Sequence, residues 1–286
     1  MNKADTGSGR EHAVDDGSTS EIGRGHLRDA RDRSFAMYRY ASSPQCRQWL
    51  RVFWIPVWNV PSGEVREQRV LTYPVCLLSI TDSYARLLGP RTSAARMPLA
   101  GAGWAFGVML RPSAGRPLLQ ADICTLTDRS ADLAGVDLLA DLVPAVRVIM
   151  ASDPSGAEAH SAARQLVEER LPALGSPSGD AALADAVVAR VEEDPGIATV
   201  AALSAAFNLH ERTLQRICSR FLGVSPRWVI RQRRLQDAAA QLGSGGSLSE
   251  LAARLGYADQ AHFSRDFRAA TGWTPGTFAA MARNPR

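Results

Sequence analysis

The sequence predicts an α+β protein: a β-rich N-terminal domain with trailing helices, followed by an all-α domain of two helix-turn-helix units joined by a connecting helix. Three observations predict this division. Short apolar runs separated by turn residues fill the front of the chain. Helical spacing replaces them from about residue 136, and one pattern recurs after 48 residues near the C-terminus.

Length and composition indicate a globular protein of two domains. The chain has 286 residues, of which 45% are hydrophobic and 22% are charged. No apolar run approaches the ~18 residues that span a bilayer. Residues 1–33 also lack the apolar segment of a secretory signal. The sequence therefore predicts a cytoplasmic protein with no membrane partner.

Charge is distributed unevenly along the chain. The formal net charge is +4, but residues 198–286 hold twelve arginines, no lysine and five acids, which gives this part a net charge of +7. The part before residue 198 therefore carries about −3. A basic end on a slightly acidic body indicates a nucleic-acid partner.

The cysteines and histidines show no spacing that indicates a metal site or a catalytic group. Cys46, Cys76, Cys124 and Cys218 lie far apart and form no CxxC pair. We expect four buried or half-buried free thiols, although Cys76 and Cys124 also leave a redox-sensing role open. The five histidines form no HExxH motif. The sequence predicts no cofactor, no metal and no catalytic residue, and thus no enzyme.

The front of the chain divides into a polar segment and a β-rich domain. Residues 1–35 lack apolar periodicity and are expected to be disordered. Residues 36–171 form the predicted regulatory domain, which serves either effector binding or dimerisation. Its expected strands are Arg51–Val60, Glu64–Tyr73, Val75–Ile80, Tyr84–Leu88 and Trp104–Leu110.

Aromatic residues are concentrated in this β-rich domain. They either line an apolar effector pocket or form an ordinary core. They are Trp49, Phe53, Trp54, Trp58, Trp104 and Phe106. Two predicted helices follow, Val136–Met150 and Ser155–Leu171, and they form either a dimer interface or a cover for the sheet.

A run of Pro, Gly and Ser at residues 172–179 is the predicted linker. Residues 180–286 then form the predicted second domain, since helical spacing continues throughout. Its first helix covers Ala181–Glu193 and ends before Pro195 and Gly196.

The repeat lies inside this second domain. Thr199 aligns with Ser247, and both are good N-cap residues for a short helix. Asn208 aligns with Gly256, and both residue types tolerate the left-handed backbone that leads from one helix into the next. Each copy is therefore predicted to begin with a short helix and a tight turn.

After the turn the spacing becomes 49 residues, and each copy continues with a longer helix. Leu214 aligns with Phe263, and Gly223 aligns with Gly272. Each copy is thus a helix-turn-helix unit. The segment Pro226–Leu242 is predicted to form one connecting helix between the two units.

The second helix of such a unit enters the major groove, so its outward residues are candidates for contact with bases. Because Leu214 and Ile217 must point inward, their neighbours point outward. Arg pairs with guanine and Gln pairs with adenine, each through two hydrogen bonds. The predicted DNA-binding residues are Arg212, Gln215, Arg216 and Arg220 in the first unit, and Gln260, Ala261, His262, Arg265 and Arg268 in the second.

Five arginines, among them Arg220 at the far end of the first outward face, are expected to touch phosphate, or nothing, rather than bases. Phosphate contacts position a protein on the duplex without specifying sequence. These residues are Arg220, Arg227, Arg231, Arg233 and Arg234.

Short motifs along the repeat match one known family. They are Leu203-Ser204, Leu214-Gln215-Arg216, Gly223-Val224-Ser225-Pro226, Ser249-Glu250-Leu251-Ala252, Leu255-Gly256-Tyr257, the run Asp259–Arg268, and Gly272-Trp273-Thr274-Pro275. Through them, residues from about 198 to 282 resemble the DNA-binding domain of the AraC/XylS family of bacterial regulators. The chain departs from the family pattern at His210, where Ser or Thr is usual, and at Cys218, where an aromatic residue is usual.

The resemblance implies a sequence-specific transcription regulator that places two recognition helices in successive major grooves of double-stranded promoter DNA. RNA polymerase is the expected further partner. In this family the other domain commonly senses a small molecule or holds a homodimer together, so both partners stay open, as does the choice between activation and repression. The alternatives are a non-specific architectural DNA binder, or a DNA-repair or amidase-like enzyme fused to a helix-turn-helix domain.

Overall fold

The computed structural model describes residues 26–27, 34–70, 73–93, 95–243 and 245–283. Within these ranges a β-rich part precedes a helical part, which confirms the predicted fold class. Residues 1–25 and 28–33, most of the segment expected to be disordered, lie outside the described residues. His26–Leu27, inside that segment, forms a two-residue strand, and the next strand begins at Phe35.

The front of the chain forms ten strands in the described ranges. They are β1 (His26–Leu27), β2 (Phe35–Ala41), β3 (Leu50–Asn59), β4 (Arg66–Val70), β5 (Leu77–Ile80), β6 (Ala85–Leu88), β7 (Ala95–Leu99), β8 (Ala102–Trp104), β9 (Phe106–Leu110) and β10 (Ser130–Asp132). The five predicted strands correspond to β3, β4, β5, β6 and the pair β8 and β9. The strands that were not predicted from the sequence are β1, β2, β7 and β10.

These strands form two antiparallel sheets. The smaller sheet has the order β1-β4-β7, and the larger has the order β10-β6-β5-β9-β3-β2, with β8 also paired to β3. The ten-residue strand β3 pairs with β2, β8 and β9. Val52 and Phe53 point to opposite faces of β3 and are both fully buried, so both faces of the strand are covered, which explains its nearly continuous apolar run.

Most of the predicted aromatic residues lie in the core of the larger sheet. Phe53 and Phe106 are fully buried, with ring centroids 5.8 Å apart. Trp54 lies against Gly107, where a Cβ atom would be 2.2 Å from the indole ring, so that only glycine fits. Of the others, those that pack in this core or in the cluster beside it are Trp49, Trp58 and Trp104. The structure thus supports the core interpretation over a pocket inside the sheet.

A helix that the sequence analysis missed follows β9 directly. This helix, α1 (Pro112–Leu119), contains Gly115 and Pro117, which are poor helix formers and concealed it. Pro112 is tolerated in the first turn, where its missing N–H has no helical partner. A Cβ atom at Gly115 would lie 2.9 Å from the Cys76 sulfur. Close packing therefore determines this helix against the local propensity.

Two further helices cover the larger sheet. They are α2 (Leu142–Ser152) and α3 (Ala157–Arg170), and they contribute Val146, Met150 and Val167 to the main core. The structure therefore supports their role as a cover for the sheet. The first begins at Leu142 rather than at Val136, because the chain forms short turns over residues 133–141.

His160 fastens α3 to β2 from a fully buried position. Its Nε2 lies 2.7 Å from the Pro154 carbonyl oxygen, which only accepts, so Nε2 carries the hydrogen. The other ring nitrogen, Nδ1, then accepts from the Tyr40 hydroxyl at 2.7 Å. Burial lowers the pKa of His160 and keeps the ring neutral.

The rest of the described chain is helical. The helices are α4 (Asp180–Glu193), α5 (Val200–Ala206), α6 (Glu211–Leu222), α7 (Pro226–Leu242), α8 (Leu248–Arg254), α9 (Gln260–Thr271) and α10 (Pro275–Arg283). One hydrophobic cluster lies under α4, α5 and α6, and a second lies under α8, α9 and α10, with α7 contributing to both. The connecting helix thus joins two small cores.

The predicted linker at residues 172–179 lies against the β-rich part of the molecule. Leu171–Leu174 forms a short 3₁₀ turn, and residues 175–177 have no regular structure. The Trp49 indole N–H donates to the Gly175 carbonyl at 2.9 Å. This hydrogen bond ties the segment to the β-rich part.

Three of the four cysteines are buried free thiols, while Cys124 is exposed, which corrects the expectation for that residue. Burial raises the pKa of Cys76 and of Cys218 to about 12, which suppresses the reactive thiolate and opposes redox sensing at Cys76. In the described part of the chain, no group of three or more His, Cys, Asp or Glu is placed to hold a metal ion. No helix there is both long and apolar enough to cross a membrane.

Candidate nucleic-acid interface

The first helix-turn-helix unit consists of α5 and α6. The Thr199 hydroxyl caps α5 by accepting from the Ala202 N–H at 3.1 Å. Asn208 adopts a left-handed backbone, with φ of 51°, and turns the chain into α6. Gly223, also left-handed, ends α6. The predicted cap and the predicted left-handed turn are both confirmed here.

The second unit consists of α8 and α9 and repeats this geometry. Ser247 caps α8, and Gly256 takes the left-handed turn, with φ of 72°. Asp259 caps α9 by accepting from the His262 N–H at 2.6 Å. Gly272 ends α9 in a left-handed conformation. The two units therefore share one local design.

The first recognition helix, α6, has a buried apolar side and an exposed polar side. Its buried residues are Leu214, Ile217, Cys218, Phe221 and Leu222. Of its predicted DNA-binding residues, Arg212, Gln215 and Arg216 are exposed, whereas Arg220 is half-buried. The polar side thus faces outward over the first two turns.

The second recognition helix, α9, presents the larger exposed polar side. Phe263 and Phe267 are fully buried beneath it. The exposed residues at its surface include every predicted candidate of this unit: Gln260, Ala261, His262, Arg265 and Arg268. His262 also meets the Tyr257 ring edge-on, with centroids 5.3 Å apart. Arg265 of α9 and Arg216 of α6 occupy aligned positions, 49 residues apart, and both are exposed.

The two departures from the family pattern have local consequences. His210 begins α6 without a side-chain cap, whereas its counterpart Asp259 caps α9. Cys218 takes the place of Phe267, yet it is fully buried. The smaller side chain packs against Val187 and Val191 of α4, so this additional helix fills the first core.

An ion-pair cluster holds the far end of α6. Arg216 lies 3.0 Å from Asp180 at the start of α4. Arg220 lies 3.4 Å from Asp180 and also 3.4 Å from Asp122 of the β-rich part. A hydrogen bond from Arg116 is the main reason that the pKa of Asp122 lies below its usual range. Two predicted DNA-binding residues, Arg216 and Arg220, therefore already have carboxylate partners within the chain.

The β-rich part also contacts the end of α6 through backbone. The Thr127 hydroxyl donates to the Gly223 carbonyl oxygen at 2.6 Å. A Cβ atom at Gly223 would lie 2.8 Å from the Thr127 oxygen and 2.9 Å from the Ile123 carbonyl oxygen. The approach is so close that a side chain at residue 223 does not fit without movement.

Helix α4 makes further contacts with the β-rich part. Arg51 forms a bidentate pair with Glu192, with N–O distances of 2.7 and 2.8 Å. Asp185 accepts from the Ser113 N–H in the first turn of α1 at 3.0 Å, and burial raises the pKa of Asp185. These contacts were not foreseen because they join residues far apart in sequence.

A cleft of about 360 Å³ lies where these parts meet. Its lining includes Trp49 and Arg116 of the β-rich part, Ser176 of the linker, and Arg220 and Phe221 of α6. The guanidinium groups of Arg116 and Arg220 lie 5.7 and 5.8 Å from the Phe221 ring centroid. Both the β-rich part and the recognition helix α6 thus line this cleft.

Arginines of the connecting helix are engaged within the protein. Arg231 lies 2.7 Å from Asp266 of α9, and Arg233 lies 2.8 Å from Asp237. Arg234 stacks over the Tyr257 ring at 4.0 Å. Arg227, at the start of the helix, is exposed. Sequence spacing gives a signal for the pair Arg233–Asp237, which is four residues apart, and none for the other two.

Comparison with known families agrees with this geometry. Residues 203–281 match the family model described as a helix-turn-helix domain. The C-terminal part of the chain is an AraC-type helix-turn-helix domain. With this AraC-type domain, the protein is a DNA-binding transcription regulator. Residues 38–132 match a separate family model, the domain of unknown function DUF6597. No curated protein matches the chain.

Two bacterial proteins are among the solved structures to which the chain is similar. The C-terminal domain of AraT, a response regulator from Geobacillus stearothermophilus, is 26% identical over 33% of this chain and 84% of its own, with a TM-score of 0.30. ToxT from Vibrio cholerae is 14% identical over 88% of this chain and 99% of its own, with a TM-score of 0.37.

Proposed function

We propose that the protein regulates transcription by reading promoter DNA with α6 and α9 in successive major grooves. The observation that carries the proposal is the exposure of Arg216 and Arg265 at aligned positions of two recognition helices that one connecting helix joins. Two such helices suit major grooves ~34 Å apart along one face of a duplex. The Arg and Gln side chains on both helices match guanine and adenine edges.

The base-reading roles are assigned to the exposed residues of the two helices. They are Arg212, Gln215 and Arg216 in the first unit, and Gln260, His262 and Arg265 in the second. Ala261 is small enough to meet a thymine methyl group. Arg220 and Arg268 lie further along their helices and are assigned to the phosphate backbone.

Replacement of Arg265 by Ala tests the assignment directly. We expect a loss of about 1–3 kcal/mol for the preferred site and a relaxed preference at one base pair. Arg254→Ala is the matched control, because Arg254 is exposed on α8 and bonds to Gln241 rather than lying on a recognition helix. Equal weakening of every duplex by Arg265→Ala would make Arg265 a phosphate contact and refute its base-reading role.

We further propose that the β-rich domain lowers DNA binding by the first unit. The support is the set of contacts at the end of α6: the Arg220–Asp122 pair and the hydrogen bond from Thr127 to Gly223. Insertion of α6 into a groove requires Arg216 and Arg220 to exchange carboxylates for DNA groups. Loss of the contacts should therefore favour binding. In this proposal the regulatory domain comprises residues 36–171, the linker residues 172–179, and the DNA-binding domain residues 180–286.

Two glycines provide a matched test of this regulation. Gly223 and Gly272 end α6 and α9 with the same left-handed backbone, so Ala imposes similar strain at both. A Cβ atom at Gly223 would meet Thr127 and Ile123 of the β-rich part, whereas Gly272 ends the recognition helix of the other unit. We expect Gly223→Ala to raise DNA affinity severalfold relative to Gly272→Ala, measured by fluorescence anisotropy. Equal affinity of the two variants would contradict the restraint.

The remaining partners stay proposals. RNA polymerase and a second copy of the chain are expected from the resemblance alone. A small-molecule effector has a place to act in the cleft between Trp49 and Phe221, since both parts of the molecule line it.

A further inference from the structure

The second recognition helix carries an acid in an unusual place. Asp266 lies between Arg265, which faces outward, and Phe267, which is fully buried. A free carboxylate on a DNA-binding helix would repel phosphate. Its side chain is instead only 18% exposed and points to the connecting helix.

Asp266 is the centre of a polar network that joins three elements. One carboxylate oxygen accepts from Arg231 Nε of α7 at 2.7 Å. The other accepts from the Tyr257 hydroxyl, in the turn before α9, at 2.9 Å. Arg231 Nη2 also donates to the Asp266 carbonyl oxygen at 3.4 Å. The network thus links the connecting helix, the turn and the recognition helix.

Arg234 extends the network from the other side of Tyr257. Its guanidinium lies 4.0 Å from the ring centroid, as a cation over an aromatic face. Among the described residues, its Nε and Nη2 atoms are buried and have no hydrogen-bond partner. Tyr257 is therefore held by its hydroxyl group and by one face of its ring, and the ring also makes a T-shaped contact with His262.

The first unit has no such network at the equivalent positions. The repeat aligns Tyr257 with Leu209 and Asp266 with Ile217, and both counterparts are apolar. Ile217 is buried against Ala184 of α4 and Phe221 of its own helix. Both recognition helices rest on apolar cores, and Arg216 of α6 also pairs with Asp180 of α4. At the aligned position facing the connecting helix, however, α6 has the apolar Ile217, whereas α9 has the hydrogen-bonded carboxylate of Asp266.

This difference has a physical consequence. Apolar contacts tolerate small rotations of a helix, but a charge-assisted hydrogen bond constrains distance and angle together. We infer that Asp266 is a positioning residue, which fixes the rotation of α9 relative to α7 through Arg231 and Tyr257 and thereby aims Arg265 and His262 at the base edges. The inference rests on the proposed function, and it adds the residue that sets the specificity of the second unit.

Replacement of Asp266 by Asn in the full chain tests this inference. The measured quantity is the ratio of affinities for matched and mismatched duplexes, taken separately for the two elements of the site. We expect Asp266→Asn to reduce this ratio about tenfold at the element that Arg265→Ala relaxes, and to leave the other element unchanged. Arg231→Lys keeps the charge but loses the planar guanidinium, so it should act in the same direction and serves if Asp266→Asn folds poorly.

The control is Asp194→Asn, which removes the Arg190–Asp194 ion pair at the end of α4. This pair lies at the end of a single helix and does not join two helices. It should change neither ratio. A merely destabilised variant has fewer active molecules but the same ratio, so the ratio separates positioning from stability. An unchanged ratio in both Asp266→Asn and Arg231→Lys overturns the inference alone. Absence of any preferred sequence for the unaltered protein overturns the proposed function, and the inference with it.

Discussion

Single polar residues hold distant parts of this protein together, and their chemistry is specific to their positions. His160 is the clearest case in the β-rich domain, since both ring nitrogens are bonded and the ring is fully buried. The sequence shows only an isolated histidine on a helix. Its partner Tyr40 is 120 residues away in sequence, so no local pattern predicts the hydrogen bond between them.

The buried ring of His160 makes stability depend on pH. Its pKa is lowered in the folded state from an ordinary value of 6.5, so the folded protein keeps it neutral while the unfolded chain takes up a proton below that value. The stability that it contributes is therefore complete above pH 6.5 and is lost as the pH falls. Chemical unfolding of the unaltered chain and of His160→Gln, across this range, should give a flatter pH dependence for the variant. Parallel curves would exclude His160 as the source.

At the residue level the sequence predicted the recognition helices better than their partners. The caps at Thr199 and Ser247 and the left-handed turns at Asn208 and Gly256 follow from local rules, and the structure confirms them. The partners of Arg220 and Arg231 do not follow from such rules, because they depend on how whole elements pack.

Among the elements, α4 contacts both the β-rich part and the first helix-turn-helix unit. Its valines fill the first core beside Cys218, while Glu192 pairs with Arg51 on β3. Sequence spacing predicted the helix itself within one residue but not that it contacts both parts of the molecule. By contrast, α1 was missed altogether, because Gly115 and Pro117 serve its packing rather than its helix propensity.

The Arg51–Glu192 pair should contribute strongly to stability. The two side chains are 14% and 18% exposed, so removal of one partner leaves a poorly solvated charge. We expect Glu192→Gln to cost about 3 kcal/mol in the free energy of unfolding. The exposed pair of Arg170 and Asp141, also bound through both carboxylate oxygens, is the control, and Asp141→Asn should cost less than about 1 kcal/mol. Similar losses in both variants, by denaturant unfolding, would refute this estimate.

For the whole molecule, the sequence predicts the order of the β-rich part and the two helix-turn-helix units. It does not predict the contact between the β-rich part and the first of these units. Periodicity and turn residues indicate a β-rich part followed by two helix-turn-helix units, and the structure agrees. The interface between them depends on close approaches such as Gly223 to Thr127, which leave no trace in hydrophobic spacing. Regulation is proposed at this interface, where arginines of α6 meet acids of the same chain.

The central claim is that the two recognition helices read one promoter sequence together. The most direct test is selection of bound duplexes from a random pool with the full chain, repeated at two salt concentrations. We expect one motif with two short elements about one helical turn, ~10 base pairs, apart. Similar affinity for selected and random duplexes, with the same steep salt dependence, would instead indicate non-specific architectural binding and contradict the account.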